Sequence, residues 1–486
     1  MSRPGKIIEA EQRSTTQKTS GRLAGNLGNL SLGRQVIALA LWPFLEQILS
    51  FMVNTVDLII ATRMSEGDAR TDIMDALGFC GYVNWLIMIL QGAVASGVLA
   101  IISRSAGARN ATEARQSLAQ GLLAGISIGI LWGVIIRLNL NHLITLFGLT
   151  PEAGIHAHKY LSILCWSCPI LGIFFAATNA LRAIGDTRTP FFVMLLINII
   201  NAGLSLALVF LPHPIGGLGI SGLAWGSLSA WILGTLIIVM LLYRENNPKT
   251  DEITLTLRRV NWRPHGPTLT RITRIGIPNA LEMLGMWAIH AYVIRFITSL
   301  PTKGSLGAHF IAIRVESLSF LPGFAIGTAT ATLVGQYLGA QNPDMALKAL
   351  KKAWLYAVIF MSSIGLTFLI APAFIARLIL PETDAQATAL LNLAIPLIFI
   401  CGVFQPFLAT NIILKTSLRG AGATRTVMSY SFTSLILFRV IGLTIYHQFT
   451  PLTLTTIWVF MSIDLLCQSL IFTYISRKGE WLHTKV

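Results

Sequence analysis

A chain of 486 residues, 54% hydrophobic and only 12% charged with a mean hydropathy of +0.68, is not a soluble globular protein, because soluble domains carry about 25% charged residues. Its net charge of +15 and pI near 9.9 do not point to nucleic acid: most Lys and Arg sit in short loops between apolar stretches, where they orient a membrane protein. Five cysteines, an odd number in so apolar a chain, do not make a disulfide framework.

Residues 1–35 are polar, carry six Lys/Arg and read as a disordered cytoplasmic tail. Glu9 and Glu11 set the tail apart from a transit peptide, and no cleavable signal peptide is visible, so the first apolar stretch is expected to be an uncleaved anchor. That stretch, 36–62, is long enough to cross a bilayer, since roughly 20 helical residues suffice. It carries Glu46, Ser50, Asn54 and Asp57 at spacings of four, four and three, which puts them on one helical stripe. The two carboxylates are about 16 Å apart along the axis. An acid facing lipid at membrane depth costs at least about 2.5–3.5 kcal/mol, and such residues mark ion or substrate paths. The stripe is therefore expected to face other helices or a watery cavity.

Eleven further apolar segments follow at 77–103, 117–138, 157–181, 190–211, 217–243, 272–299, 304–337, 349–372, 386–414, 427–449 and 452–476. The segment 304–337 exceeds what a membrane needs and contains Pro322, so tilt, a kink or projection into water is expected. Cys165 and Cys168 form a CxxC inside the fourth segment and read as small packing residues. The loops alternate in charge, with 27 Lys/Arg on one side and five on the other. That asymmetry predicts both termini on the cytoplasmic side.

The chain repeats itself. Residues 181–189, Leu-Arg-Ala-Ile-Gly-Asp-Thr-Arg-Thr, match residues 418–426, Leu-Arg-Gly-Ala-Gly-Ala-Thr-Arg-Thr, at six of nine positions with an offset of 237. Gly107-Ala-Arg-Asn110 echoes Gly339-Ala-Gln-Asn342, and Pro43 with Glu46 echoes Pro278 with Glu282. Residues 36–243 and 272–476 thus read as two parallel six-helix halves. A charged, proline-bearing cytoplasmic linker at 244–271 joins them, and 477–486 forms a second tail. The expected fold is an all-α polytopic membrane protein, with twelve transmembrane helices in two pseudo-symmetric lobes around a central cleft.

Two such halves with acids inside suggest a secondary transporter that rocks about its centre. There is no GxxxxGK[ST] loop for ATP, no HExxH zinc site, no GxSxG elbow and no channel filter signature. An enzyme is not expected.

The motifs, in their order and spacing, resemble the multidrug and toxic compound extrusion (MATE) family over about 36–476. They are the proline-bearing first span ending in Val56-Asp57, Gly107 to Asn110, Leu181 to Pro190, Gly276-Ile-Pro278, Leu333 to Asn342, and Leu418 to Thr426. The resemblance implies two lobes, a V-shaped cleft, and export of amphiphilic organic cations coupled to inward flow of protons or sodium ions, with no other cofactor. It implies that Asp57 is the cation-responsive acid. Asn179, Asn198 and Asn201 resemble polar positions gathered around it. Two departures stand out. Ser205 occupies the place of a second aspartate found in proton-linked members. Glu282 lies about one turn early for the sodium-linked pattern of the C-terminal lobe, and 386–414 holds no acid at all. The N-terminal lobe is therefore the expected coupling site.

On the residues themselves, Asp57 is expected to take a proton, or to hold sodium with Asn54 and the lobe's asparagines. Glu46 reads either as a second relay point or as a helix-pairing residue. Glu282, Glu316 and Arg439 are the charged or substrate-contacting candidates of the C-terminal lobe, with Arg314 and Asp464 nearby; His290 and His309 read as packing residues. The expected partners are small organic cations and the lipid bilayer of a bacterial inner membrane, with no nucleic acid and a functional monomer. The alternatives are a flippase for lipid-linked oligosaccharide from the wider superfamily and a membrane-embedded enzyme.

Overall fold

The computed structural model describes residues 23, 25–64, 67–212, 214, 216–244, 254–258, 260–380 and 385–484, without the side chains of 25, 26, 51, 54, 67–71, 379, 385 and 386. Every regular element among them is helical. Eleven helices are long and apolar enough to cross a membrane. In the first half they are α1 (Leu32–Thr62), α2 (Gly67–Gly107) and α3 (Ala111–Leu138), then, after a break, α5 (Arg188–Phe210) and α6 (Ile220–Tyr243). In the second half they are α7 (Gly266–Thr298), α8 (Ser305–Gly339), α9 (Pro343–Ile370), α10 (Ala385–Gly420), α11 (Thr424–Phe449) and α12 (Leu454–Lys478).

The remaining span, α4, corrects the expectation of a plain fourth segment at 157–181. It consists of Pro151–Leu164 and Ser167–Ala183, which meet at 51° across Cys165 and Trp166. Pro169 explains the break: without an N–H it cannot bond the Cys165 carbonyl, and its ring crowds the preceding turn. Gln91 of α2 steadies the bend by donating to the Cys168 carbonyl at 3.0 Å. By contrast α8 stays one helix of 35 residues despite Pro322. At 1.5 Å per residue it is roughly 50 Å long, well beyond a hydrocarbon core of about 30 Å.

Order also extends beyond the expected spans. Residues 1–22 of the predicted tail lie outside the described residues. Its last part does not hang free: Leu23 is buried, Gly25–Asn29 forms a turn, and Gln35 donates to the Leu27 and Leu30 carbonyls. Residues 245–253 of the linker are likewise outside the description, but the rest is strapped beneath α3. Leu255 and Leu257 are buried, Arg115 holds the Thr254 carbonyl at 3.1 Å, and Gln120 holds the Arg263 carbonyl at 3.0 Å.

The halves repeat each other in packing as well as in sequence. Within each, the first helix packs on the fifth and the second on the third and fourth. Between them, α2 packs on α7 and α8 on α1, the reciprocity a two-fold axis demands. The duplicated motifs adopt duplicated geometry. Arg109 and Gln341 both sit at φ 56°, and the next residue, Asn110 or Asn342, caps the following helix through its side chain. Gly185 and Gly422 of the longer motif share left-handed φ values of 96° and 87°, a conformation that glycine adopts without a Cβ clash.

These motifs lock the halves together at the ends of the helices that carry the basic loops. A Cβ on Gly107 would meet the Gln336 backbone, and one on Gly339 would meet the Arg104 backbone. Gln336 donates to the Ala183 carbonyl at 2.7 Å, and its counterpart Arg104 donates to the Ala421 carbonyl at 3.1 Å. Thr332 adds a bond to the Arg182 carbonyl, and Tyr337 donates to Gln35 at 2.8 Å. Each half thus caps the end of the other's fourth helix. Tyr82 and Trp287 meet across the α2–α7 seam with ring centroids 4.9 Å apart and planes tilted by 35°.

Candidate functional site

Asp57 lies in the last third of α1, is only 5% exposed, and faces α5 and α6. Its Oδ2 accepts from Ser227 Oγ at 2.9 Å, and Ser227 in turn accepts from Asn201 Nδ2 at 2.9 Å. Tyr160, in the Pro151–Leu164 piece of α4, is buried beside the carboxylate. A hydroxyl has one proton, so Ser227 can serve both neighbours only in this direction. Three buried oxygens, Asp57 Oδ1, Asn201 Oδ1 and Ser205 Oγ, have no partner among the described residues, nor does any basic side chain pair with Asp57 there. A buried carboxylate beside neutral oxygen donors fits a proton or a small hard cation such as sodium, which prefers oxygen ligands.

The structure sorts the other candidates. Asn201, 1% exposed, joins Asp57 through Ser227. Asn179 and Asn198 spend their amide protons on their own helices, on the Phe175 and Met194 carbonyls at 2.9 Å each. The side chain of Asn54 lies outside the described residues. Glu46 is buried and paired with Arg182 at 2.5 Å, so the helix-pairing reading is the one its geometry carries.

In the second half, Glu282 holds the position equivalent to Glu46 and pairs with the equivalent arginine, Arg419, at 2.8 Å. Lys415 at 2.7 Å and Ser431 at 2.9 Å complete its shell. Gln468 then bridges Lys415, at 3.2 Å, to Asp464, at 2.8 Å. Asp464 accepts from Ser434 and from Arg439 Nε, both at 2.6 Å. Glu316 of α8 and His290 of α7 feel the Arg439 charge. His309 is fully buried, stacked on His290 at 5.6 Å, and accepts from Trp458 at 3.1 Å. Trp458 only donates, so His309 Nδ1 carries a lone pair and the ring is neutral.

Sequence reasoning missed Ser227 and Tyr160, whose residue types are too common in spans to signal anything alone.

Known proteins resemble the chain in sequence and in fold. A NorM of Thermotoga maritima, described as a probable multidrug resistance protein, is 26% identical over 451 residues, covering 92% of this chain and 93% of its own. A MOP superfamily transporter from Pyrococcus furiosus superposes with a TM-score of 0.83 at 19% identity, over 94% of this chain and 98% of that one. An outward-facing multidrug resistance MATE family transporter matches with the same score, identity and coverage. The MatE family model itself matches residues 44–207 and 278–445, which hold both copies of the Gly107–Asn110 and Leu181–Thr189 motifs. With more than half its length matched, in two blocks that fall on the two halves, the chain belongs to the MatE family of multi-pass membrane transporters.

Proposed function

We propose that the protein exports amphiphilic organic cations by antiport against protons or sodium ions, with Asp57 as the coupling acid. The observation that carries this reading is the environment of that carboxylate: buried, held by Ser227 with Tyr160 beside it, and without a basic partner among the described residues. Such a group changes its charge only when a mobile cation arrives or leaves. Occupancy by the cation and by the organic substrate are then linked through the shape of the N-terminal half, each weakening the other by the same factor. The joint at the basic end supports a state shut toward the cytoplasm, in which the incoming ion reaches Asp57 from outside and the substrate leaves there. On this reading both termini are cytoplasmic and the setting is a bacterial inner membrane, in keeping with the 27-to-5 loop asymmetry. One chain contains both halves and both polar interiors, which supports a functional monomer.

The test is efflux of a fluorescent lipophilic cation from liposomes, with the pH and sodium gradients imposed separately. One gradient should drive transport by the native chain and neither should drive it through Asp57→Asn. Full activity of that variant would remove Asp57 from the mechanism.

A further inference from the structure

The correspondence between the halves extends to their sixth helices, α6 (Ile220–Tyr243) and α12 (Leu454–Lys478). Asp57 is held by Ser227 of α6, and the corresponding helix α12 carries a buried acid of its own, Asp464. Each half thus has one buried carboxylate at this wall, reached in the first half from α1 and supplied in the second by α12 itself. The two carboxylates differ in company. Asp57 accepts from the Ser227 hydroxyl, which in turn accepts from the Asn201 amide, and its Oδ1 has no partner among the described residues. Asp464, 0% exposed, has both oxygens engaged, Oδ1 by Ser434 and Gln468 and Oδ2 by Arg439.

The helix that delivers Arg439 is altered at that point. Its counterpart α5 is α-helical from Arg188 to Phe210, whereas α11 widens into a π-helical segment over Ile436–Gly442, with Arg439 at its centre. Widened turns of this kind are rare and cluster at functional sites. The extra residue shifts the register of the helix face and sets Arg439 Nε 2.6 Å from Asp464.

We propose that Arg439 is a tethered counter-cation. Its guanidinium holds permanently, beside Asp464, the place that a diffusible cation takes beside Asp57, so that only the N-terminal half answers to the ion gradient. The proposal rests on the reading of Asp57 given above. A guanidinium keeps its proton at every working pH, and a cation that never leaves cannot shift a conformational equilibrium. The remaining charges around the pair are set the same way. On α10, Lys415 with Arg419 neutralises Glu282 on α7 and reaches Asp464 through Gln468. Glu316 on α8 and His290 on α7 lie within the field of Arg439, His309 on α8 stacks on His290, and Cys467 on α12 lies within that of Asp464.

The experiment measures how transport in liposomes, and thermal stability in detergent, depend on sodium concentration and on pH. The native chain should follow a single-site dependence, with a Hill coefficient of about one. Arg439→Gln should add a second cation-dependent transition and move the coefficient toward two; Arg439→Lys, which keeps a tethered charge, should not. Removing both charges with Arg439→Gln/Asp464→Asn should restore the single-site curve. If Arg439→Gln folds only at high sodium or low pH, that recovery supports the proposal. A single-site curve for Arg439→Gln overturns it, and so does loss of fold that Asp464→Asn repairs but no cation does. The two readings fail separately: in an Asp57→Asn background Arg439→Gln should still create one transition, whereas an unchanged response of Asp57→Asn alone defeats only the assignment of Asp57.

Discussion

The N-terminal and C-terminal halves are built on one plan, with the same helix order, the same turn geometry at the repeated glycines, and the same ion pair between their first and fourth helices. Glu46 with Arg182 and Glu282 with Arg419 are the two copies of that pair, at 2.5 and 2.8 Å. They part company deeper in the membrane. The first half keeps Asp57 among hydroxyls and an amide; the second balances Glu282 and Asp464 with Lys415, Arg419 and Arg439. A charge compensated from within the protein contributes to architecture, while an uncompensated one has to exchange something with its surroundings. On the proposed reading, structure falls to the second interior and response to the first.

The sharpest way to break this assignment is Asp57→Asn. Cation-dependent transport should lose the whole coupling factor, on the order of 5- to 150-fold, while the protein still folds and purifies. The mirror experiment is Glu282→Ala, which leaves Lys415 and Arg419 buried without their acid. Breaking a buried pair in this way costs about 3–5 kcal/mol, and denaturation in detergent should show it. Glu46→Ala strands only Arg182 and should fall below Glu282→Ala in the same assay; equal losses would mean that the second cation adds nothing.

Gly339→Ala probes what the halves share. The new methyl group would overlap the Arg104 backbone, and relief of such overpacking is typically worth about 1–3 kcal/mol. The joint at the basic end should loosen, and a cysteine placed at Ser103 should react faster with a soluble thiol reagent than in the parent. The smallest contrast is between asparagines. Asn201→Ala removes the donor to Ser227 and should weaken the cation response, at a cost of about 1–3 kcal/mol for the buried hydroxyl left behind. Asn198→Ala only frees a carbonyl of its own helix and should leave the response within about twofold, or roughly 0.4 kcal/mol, of the parent.

Much of the site could be read without coordinates, and particular residues show why. Asp57 was legible because an acid in an apolar span violates the solvation rule for membranes and needs no neighbours to be noticed. Ser227 and Tyr160 obey every local rule, so only their proximity to Asp57 distinguishes them. Asn179, Asn198 and Asn201 look alike in sequence. Which of them reaches across to another helix depends on side-chain direction and helix rotation, and only Asn201 does.

The sequence by itself determined the span pattern, the doubling and the family, because hydrophobic length, loop charge and repeated turns are properties of short stretches that survive without partners. It also marked Glu46 and Glu282 as equivalent. Only the tertiary structure decided that both are neutralised, that α4 bends at 51°, and that Asp464 rather than Glu316 receives Arg439. Those outcomes turn on which helix faces meet, and these three ion pairs join residues 25 to 137 positions apart. A linear pattern records the charges but not the few ångströms that pair them.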